Sequence, residues 1–220
     1  MIKLSSRLRA VCDFIPDNSK VIDVGCDHAL LDIYLYQNRK NIKIIISDIN
    51  KNALASGINN LKKYNLEDKI EARLGTGLEV VEANEIDTIV ISGMGAHNIV
   101  GLLLYNKDKL KNVDNLILQS NNDIDFLRSK IITLGYYIKD EKLVKDKNII
   151  YTVIYFSKGK RRYSKKEIYF GPILLKENSD LFKEKKELDL KNLNMILSIV
   201  PKNKYLYRYK LKKKINLYNK

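Results

Sequence analysis

Residues 20 to 32 read KVIDVGCDHALLD: an apolar run stops at Asp23, turns on Gly25, and passes Cys26, Asp27 and His28 before a helical pattern begins. In a doubly wound sheet, ligands lie at the carboxyl ends of the strands. The first turn there must let the backbone approach the ligand closely, which is the use of Gly25. The phosphate-binding form of this turn, G-x-G-x-x-G, is absent. A carboxylate at Asp27 would repel a pyrophosphate seated at the helix N-terminus, where N–H groups favour anions, so a cationic ligand fits better. Asp27 also sits where a residue would cap the helix predicted over 29–37, and both roles stay open.

Other strand ends add groups of the same kind. Asp48 closes the segment IIISDIN, 25 residues after Asp23, where a carboxylate accepts the two hydroxyls of a ribose; its alternative role is N-cap of the next helix. Gly75 opens the turn LGTGL, which would border an adenine or serve as a plain loop. In Ser92-Gly93-Met94-Gly95-Ala96, two glycines flanking a methionine let the chain pass tightly under a ligand while an apolar side chain touches a flat ring. The segment Leu118-Gln119-Ser120-Asn121-Asn122-Asp123 supplies amides that pair with a base edge or cap a helix, and Asn121 is the candidate for base recognition. His28 and His97 have neither a cysteine cluster nor H-E-x-x-H spacing, so no metal site is expected.

These turns need a scaffold, and the patterning supplies one. Strands are predicted at 20–24, 42–47, 69–74, 86–92 and 113–119, with helices between them near 29–37, 50–64, 97–105 and 123–134. Nearly continuous apolar runs such as Ile44-Ile45-Ile46 imply strands covered on both faces, a parallel α/β sheet. After Gly135 two strands follow without a helix, 136–144 and 149–157, which read as an antiparallel hairpin at one sheet edge. Leu4, Leu8, Val11 and Ile15 space an amphipathic N-terminal helix. Past residue 158 a basic connection, KGKRRYSKKE, leads to a helical stretch over about 173–200. There Leu174, Leu181, Leu188 and Met195 recur every seven residues, and the pattern continues over 203–219 past Pro201, either as a second helix folded back in an antiparallel hairpin or as one kinked helix.

Charge divides the chain at the same place. Residues 158–220 hold 19 Lys and Arg against 6 Asp and Glu, and so 13 of the 14 net positive charges. Such a block suits a polyanion, because cations that neutralise phosphates release counterions; the alternative is a solvated helical face. Two cysteines outside C-x-x-C spacing, with no long apolar span, argue for a reduced cytoplasmic setting without disulfides or membrane insertion.

The alternation Asp23-x-Gly25-x-Asp27-x-Ala29 resembles the D/E-x-G-x-G-x-G turn of class I S-adenosylmethionine methyltransferases, whose ligand carries a sulfonium and no phosphate. With KLSSRL near the N-terminus, the glycine turn at 75–79, GMGA at 93–96, LQSN at 118–121 and GPILL at 171–175, the chain is similar to the bacterial tRNA methyltransferase family TrmK over residues 3 to about 175. It departs from that pattern at Thr76, Ala96 and Ser120.

The resemblance implies a Rossmann-like α/β catalytic domain, residues 1–158, joined to a basic C-terminal helical coiled-coil domain, residues 159–220. It implies methylation of N1 of adenine 22 in tRNA, and the chain is expected to act as a monomer. Asp23, Gly25, Asp27, Asp48, Gly75, Gly93, Met94 and Gly95 would hold the cofactor. Asp27, with His28, would serve the chemistry, since adenine N1 already carries a lone pair and its methylated product is cationic. Asn121, Arg161 and Arg162 would meet the tRNA. Two other readings stay open: a class I methyltransferase of another substrate, and a noncatalytic RNA-binding protein on a degenerate Rossmann shell.

Overall fold

The computed structural model describes residues 2–218. Its contacts divide into two units, residues 1–163 and 164–220, five residues beyond the change of texture at 158. In the first unit seven strands form one sheet: β1 (Lys20–Val24), β2 (Lys43–Asp48), β3 (Ile70–Leu74), β4 (Thr88–Met94), β5 (Asn115–Ser120), β6 (Tyr136–Asp146) and β7 (Ile149–Lys158). Their order is β3-β2-β1-β4-β5-β7-β6. The first five are parallel, and β7 enters antiparallel between β5 and β6. The hairpin is the expected one, but its second strand is the inner one. β7 carries Val153, Ile154 and Phe156, all fully buried, whereas β6 alternates buried and exposed positions and takes the edge.

Helices α1 (Ser6–Phe14), α2 (Leu30–Asn38), α3 (Lys51–Lys63), α4 (Ala96–Tyr105) and α5 (Ile124–Thr133) pack on this sheet. Val21, Ile44, Ile46, Val90 and Ile117 lie in the core with Ala10, Val11, Leu31, Leu35 and Leu54 from the helices. The strand order reverses between β1 and β4, and the carboxyl ends at such a switch point are where doubly wound sheets hold a ligand in a crevice. At the far edge, the buried pair Arg128–Glu141, 2.6 Å apart, ties α5 to β6.

The second unit is helical: α6 (Lys165–Phe170), α7 (Pro172–Glu177), α8 (Asp180–Ile199) and α9 (Tyr205–Ile215). Ser164 and Glu167 form a reciprocal capping box on α6. The run predicted over 173–200 is two helices, because Asn178 adopts a left-handed conformation (φ +46°) and Ser179 caps α8. That break puts Leu174 on a different helix from the rest of its seven-residue row. Leu188 and Met195 are exposed, and the buried hydrophobic side chains among the described residues are Phe170, Leu174, Phe182 and Leu211. α8 and α9 form an antiparallel hairpin. Arg208 Nη1 donates to the Leu197 and Val200 carbonyls at one end, while Tyr218 and Phe182 both pack edge-on against Phe170 at the other.

Candidate active site

Gly25 holds φ at +78°, and its N–H and that of Cys26 both donate to the Ser47 carbonyl of β2. A Cβ at Gly25 would come within 2.5 Å of the Met94 methyl. The turn after β1 therefore touches the end of β4 at this point, and glycine alone suits both the conformation and the space. A single 3-10 turn follows, Asp27–Ala29, with His28 and Ala29 at φ +61° and +52°. Left-handed backbone at two non-glycine residues needs support. α3 provides it: Asn60 Nδ2 donates to the His28 carbonyl at 2.9 Å, and Ser56 Oγ shares a 2.6 Å hydrogen bond with His28 Nδ1.

α2 then begins with Ala29 at its N-cap and no capping side chain. Asp27 is thus not the helix cap. Its side chain is 78% exposed at the mouth of the crevice, with Oδ1 3.4 Å from His28 Nε2. Beneath it Asp23 is buried and faces Asp32 of α2, itself fully buried. Burial raises the Asp23 carboxyl to about 7, and it pushes Asp32 upward as well, with the Asp23 charge adding to the effect. Neither Asp32 oxygen has a hydrogen-bond partner among the described residues, so burial and the neighbouring acid favour the protonated form of this pair. Cys26 is buried and its thiol is pushed upward, first by burial and then by the Asp23 and Asp32 charges, which makes it a packing residue and no nucleophile.

At the next strand end, Asp48 Oδ1 accepts from the Asn50 N–H at 2.8 Å. The helix cap is Asn50, whose Oδ1 accepts from Asn52 and Ala53. Asp48 shapes the turn one step earlier. The Gly75 N–H donates to the Asp48 carbonyl, and a Cβ there would strike Val80 at 2.3 Å. In the last two residues of β4, Gly93 takes φ +88° and Met94 closes on Gly25, and Gly95 after them is the N-cap residue of α4. Asn122 Oδ1 reaches across from the β5 end to accept the Ala96 N–H at 3.0 Å.

Asn121 lies beside this turn. Its backbone N–H donates to the Met94 carbonyl and its Nδ2 to the Gly93 carbonyl at 2.7 Å. Behind it runs a chain of polar groups absent from the expected site. Arg7 Nη1 donates to Ser92 Oγ and Gln119 Oε1, each at 2.7 Å, and Gln119 Nε2 donates to Asn121 Oδ1 at 3.1 Å. Arg7 escaped because it belongs to an amphipathic helix, where an arginine reads as a solvent-facing residue. The buried Gln119 at the end of an apolar strand, and the Asp32 inside an apolar helix start, were the available signals.

Asp23, Gly25, Asp27, His28, Asp48, Gly75, Gly93, Met94, Gly95 and Asn121 all fall on the carboxyl side of the sheet. Arg161 and Arg162 do not. Both precede Tyr163, whose hydroxyl hydrogen-bonds the Ile138 backbone near the Tyr136–Lys158 rung, and that rung lies at the amino ends of the parallel strands. Their expected contact with substrate would therefore lie outside the crevice. Among the described residues no three His, Cys, Asp or Glu side chains form a metal-binding group, and no helix is long and apolar enough to cross a membrane.

The family model described as TrmK, tRNA (adenine(22)-N(1))-methyltransferase, matches residues 21–220. The chain belongs to the TrmK family. It is 32% identical over 201 residues to the tRNA (adenine(22)-N(1))-methyltransferase of Bacillus subtilis, covering 89% of this chain and 84% of that protein. Two TrmK-like structures are similar along almost their whole length. Sp1610 of Streptococcus pneumoniae, crystallised with S-adenosyl-L-methionine, has a TM-score of 0.89 and 31% identity, covering 99% and 98% of the two chains. Mycoplasma capricolum TrmK, bound to S-adenosyl-homocysteine, has a TM-score of 0.85 and 30% identity, covering 98% and 96%.

Proposed function

We propose that this chain transfers the methyl group of S-adenosylmethionine to N1 of an adenine in tRNA, position 22 by kinship, as a cytoplasmic monomer. The observation that carries this reading is Asp27: an exposed carboxylate, relieved of capping duty, at a crevice formed by the Gly25 and Gly93 turns. The site fits the cofactor. A buried acid pair lies under the first turn, an acid ends β2, and glycines open both sides, while Asp27 disfavours a pyrophosphate. When bound, the cofactor supplies an activated methyl on a sulfonium.

The chain's own residues do the rest. Gly25 and Gly93 let the backbone close on the ligand, and the Asp48 carboxylate takes ribose hydroxyls. Adenine N1 needs no base to expose its lone pair, so the enzyme's task is alignment and charge. Positive charge develops on the ring as N1 is alkylated, and Asp27 stabilises it. His28, pinned through Nδ1 by Ser56, holds Asp27 in place through Nε2. The second unit contributes phosphate contacts, and the exposed Tyr205, Tyr207 and Tyr209 of α9 offer faces for unpaired bases.

The test is incubation of the full chain with unmodified tRNA and methyl-labelled cofactor, followed by mapping of the label. One methyl at N1 of adenine 22 is expected, with none on a tRNA carrying guanine there. Label at another base or on a small molecule instead of tRNA would overturn the reading. Sedimentation at the mass of one 25.5 kDa chain is expected of the monomer.

A further inference from the structure

The Arg7–Gln119–Asn121 chain fixes an amide at the edge of the crevice, and its polarity is determined from both ends. Arginine only donates, so the atom of Gln119 that meets Arg7 Nη1 is its oxygen, which Ser92 Oγ also approaches at 3.1 Å. Gln119 must then offer its nitrogen to Asn121, which receives it on Oδ1. At the other end the Gly93 carbonyl only accepts, so Asn121 meets it with Nδ2. The two constraints agree. Gln119 is fully buried, and a Cβ on Gly93 would lie 3.3 Å from Arg7 Nη1, so the guanidinium also braces the turn that Asn121 bonds.

These bonds use one lone pair of Asn121 Oδ1 and one hydrogen of Nδ2. One acceptor site and one donor remain on an exposed side chain. An acceptor and a donor side by side on one amide match adenine N6–H and N7, the bidentate asparagine–adenine pairing. That choice of edge has a chemical reason here. A residue that engaged the Watson–Crick edge would occupy N1, the atom to be methylated, whereas the N6/N7 edge leaves N1 open.

We infer that Asn121 reads the N6/N7 edge of the target adenine and that Arg7, acting through Gln119, is the positioning residue that holds its amide. This rests on the adenine-N1 reading above. Guanine carries an acceptor at O6 where adenine carries a donor, so the same amide rejects it.

The experiment uses the full chain and tRNA with a single replaced nucleotide at the target position: adenosine, 7-deazaadenosine, which lacks the N7 acceptor, or purine riboside, which lacks the N6 amino group. All three keep N1. Wild-type single-turnover rates are expected to fall about tenfold on each analogue, as for one lost hydrogen bond in a bidentate pair. Asn121→Ala should be slow on adenosine and show no further loss on 7-deazaadenosine. Arg7→Met should reproduce that pattern on both nucleotides. The Arg7→Met/Asn121→Ala double variant should be no slower than Asn121→Ala alone, and Arg7→Lys, which restores a donor, should recover part of the discrimination. Equal wild-type rates on adenosine and 7-deazaadenosine would overturn the edge assignment while leaving N1 methylation intact. Additive losses from Arg7 and Asn121 would overturn the positioning role. Failure to methylate N1 of adenosine at all would instead refute the proposed function.

Discussion

Asp27 and Asp23 are four positions apart yet sit in opposite environments, and each makes a different prediction. Asp27 is exposed and, among the described residues, pairs with His28 alone, so its replacement touches chemistry more than folding. Asp27→Asn is expected to slow single-turnover methyl transfer about a hundredfold, the loss typical of one electrostatic group aimed at developing charge. tRNA affinity should change little; a wild-type rate in that variant would remove Asp27 from the mechanism. Asp23 is buried against Asp32, and its carboxyl titrates near 7 in the fold, mainly through burial, against an ordinary carboxylate value in the unfolded chain. The folded state therefore binds the extra proton. Stability is full below the ordinary carboxylate range and declines as pH rises through about 7. Asp32→Asn replaces the second acid with an amide that can donate to an ionised Asp23. Thermal unfolding at about pH 5.5 and about pH 8.5 should show a larger loss on going up in the wild type than in the variant, and equal losses would contradict the raised Asp23 carboxyl.

At the scale of elements, the strands were legible because period and composition alone specify them. β1 and β3 fall within one residue of their expected ranges, and β4 and β5 begin two residues late. What lay outside reach was how turns are braced from distant parts of the chain. Ser56 and Asn60 of α3 support the turn after β1, Asn122 caps α4 from the β5 end, and Arg7 joins α1 to β4 and β5. Each contact spans at least 26 positions in sequence, and no local pattern encodes it. The seven-residue row of the C-terminal helices misled for a related reason: Asn178 and Ser179 carry a break that spacing of leucines does not register. Gly25 joins local pattern to distant contact. Gly25→Ala is expected to cost about 1–2 kcal/mol from left-handed backbone alone, with more from the Met94 methyl. Met94→Ala in the same chain should recover only the second part of the stability. Cofactor affinity by calorimetry should fall in Gly25→Ala, and an unchanged affinity would separate this turn from the cofactor.

For the whole molecule, the division of labour follows from where the charge is. Residues 1–157 are almost neutral, with 21 Lys and Arg against 20 Asp and Glu, and the four cations of 158–163 bring the whole first unit only to +5, so it has less to attract a polyanion than the helices do. The helical unit, residues 164–220, holds 15 Lys and Arg against 6 Asp and Glu, nine of the 14 net positive charges, and α9 exposes lysines beside tyrosines, with Lys213 Nζ 4.5 Å over the Tyr209 ring. Packing of the hairpin explains Leu211 and Phe182, which are buried; it does not explain Tyr205 and Leu206, which are more than three-quarters exposed. An aromatic, basic surface of this kind suits a phosphate backbone with unpaired bases. Replacing Lys202, Lys204, Lys210 and Lys212 with glutamine keeps the helix-forming stems and removes four charges that lie on the surface. tRNA affinity should drop, and the slope of log K against log salt should become shallower by about 0.7–0.9 for each lysine that meets a phosphate. Cofactor affinity and the unfolding temperature should stay as they were. An unchanged salt slope with unchanged tRNA affinity would reduce this basic block to a solvated face and move the search for phosphate contacts to Arg161 and Arg162, at the amino side of the sheet.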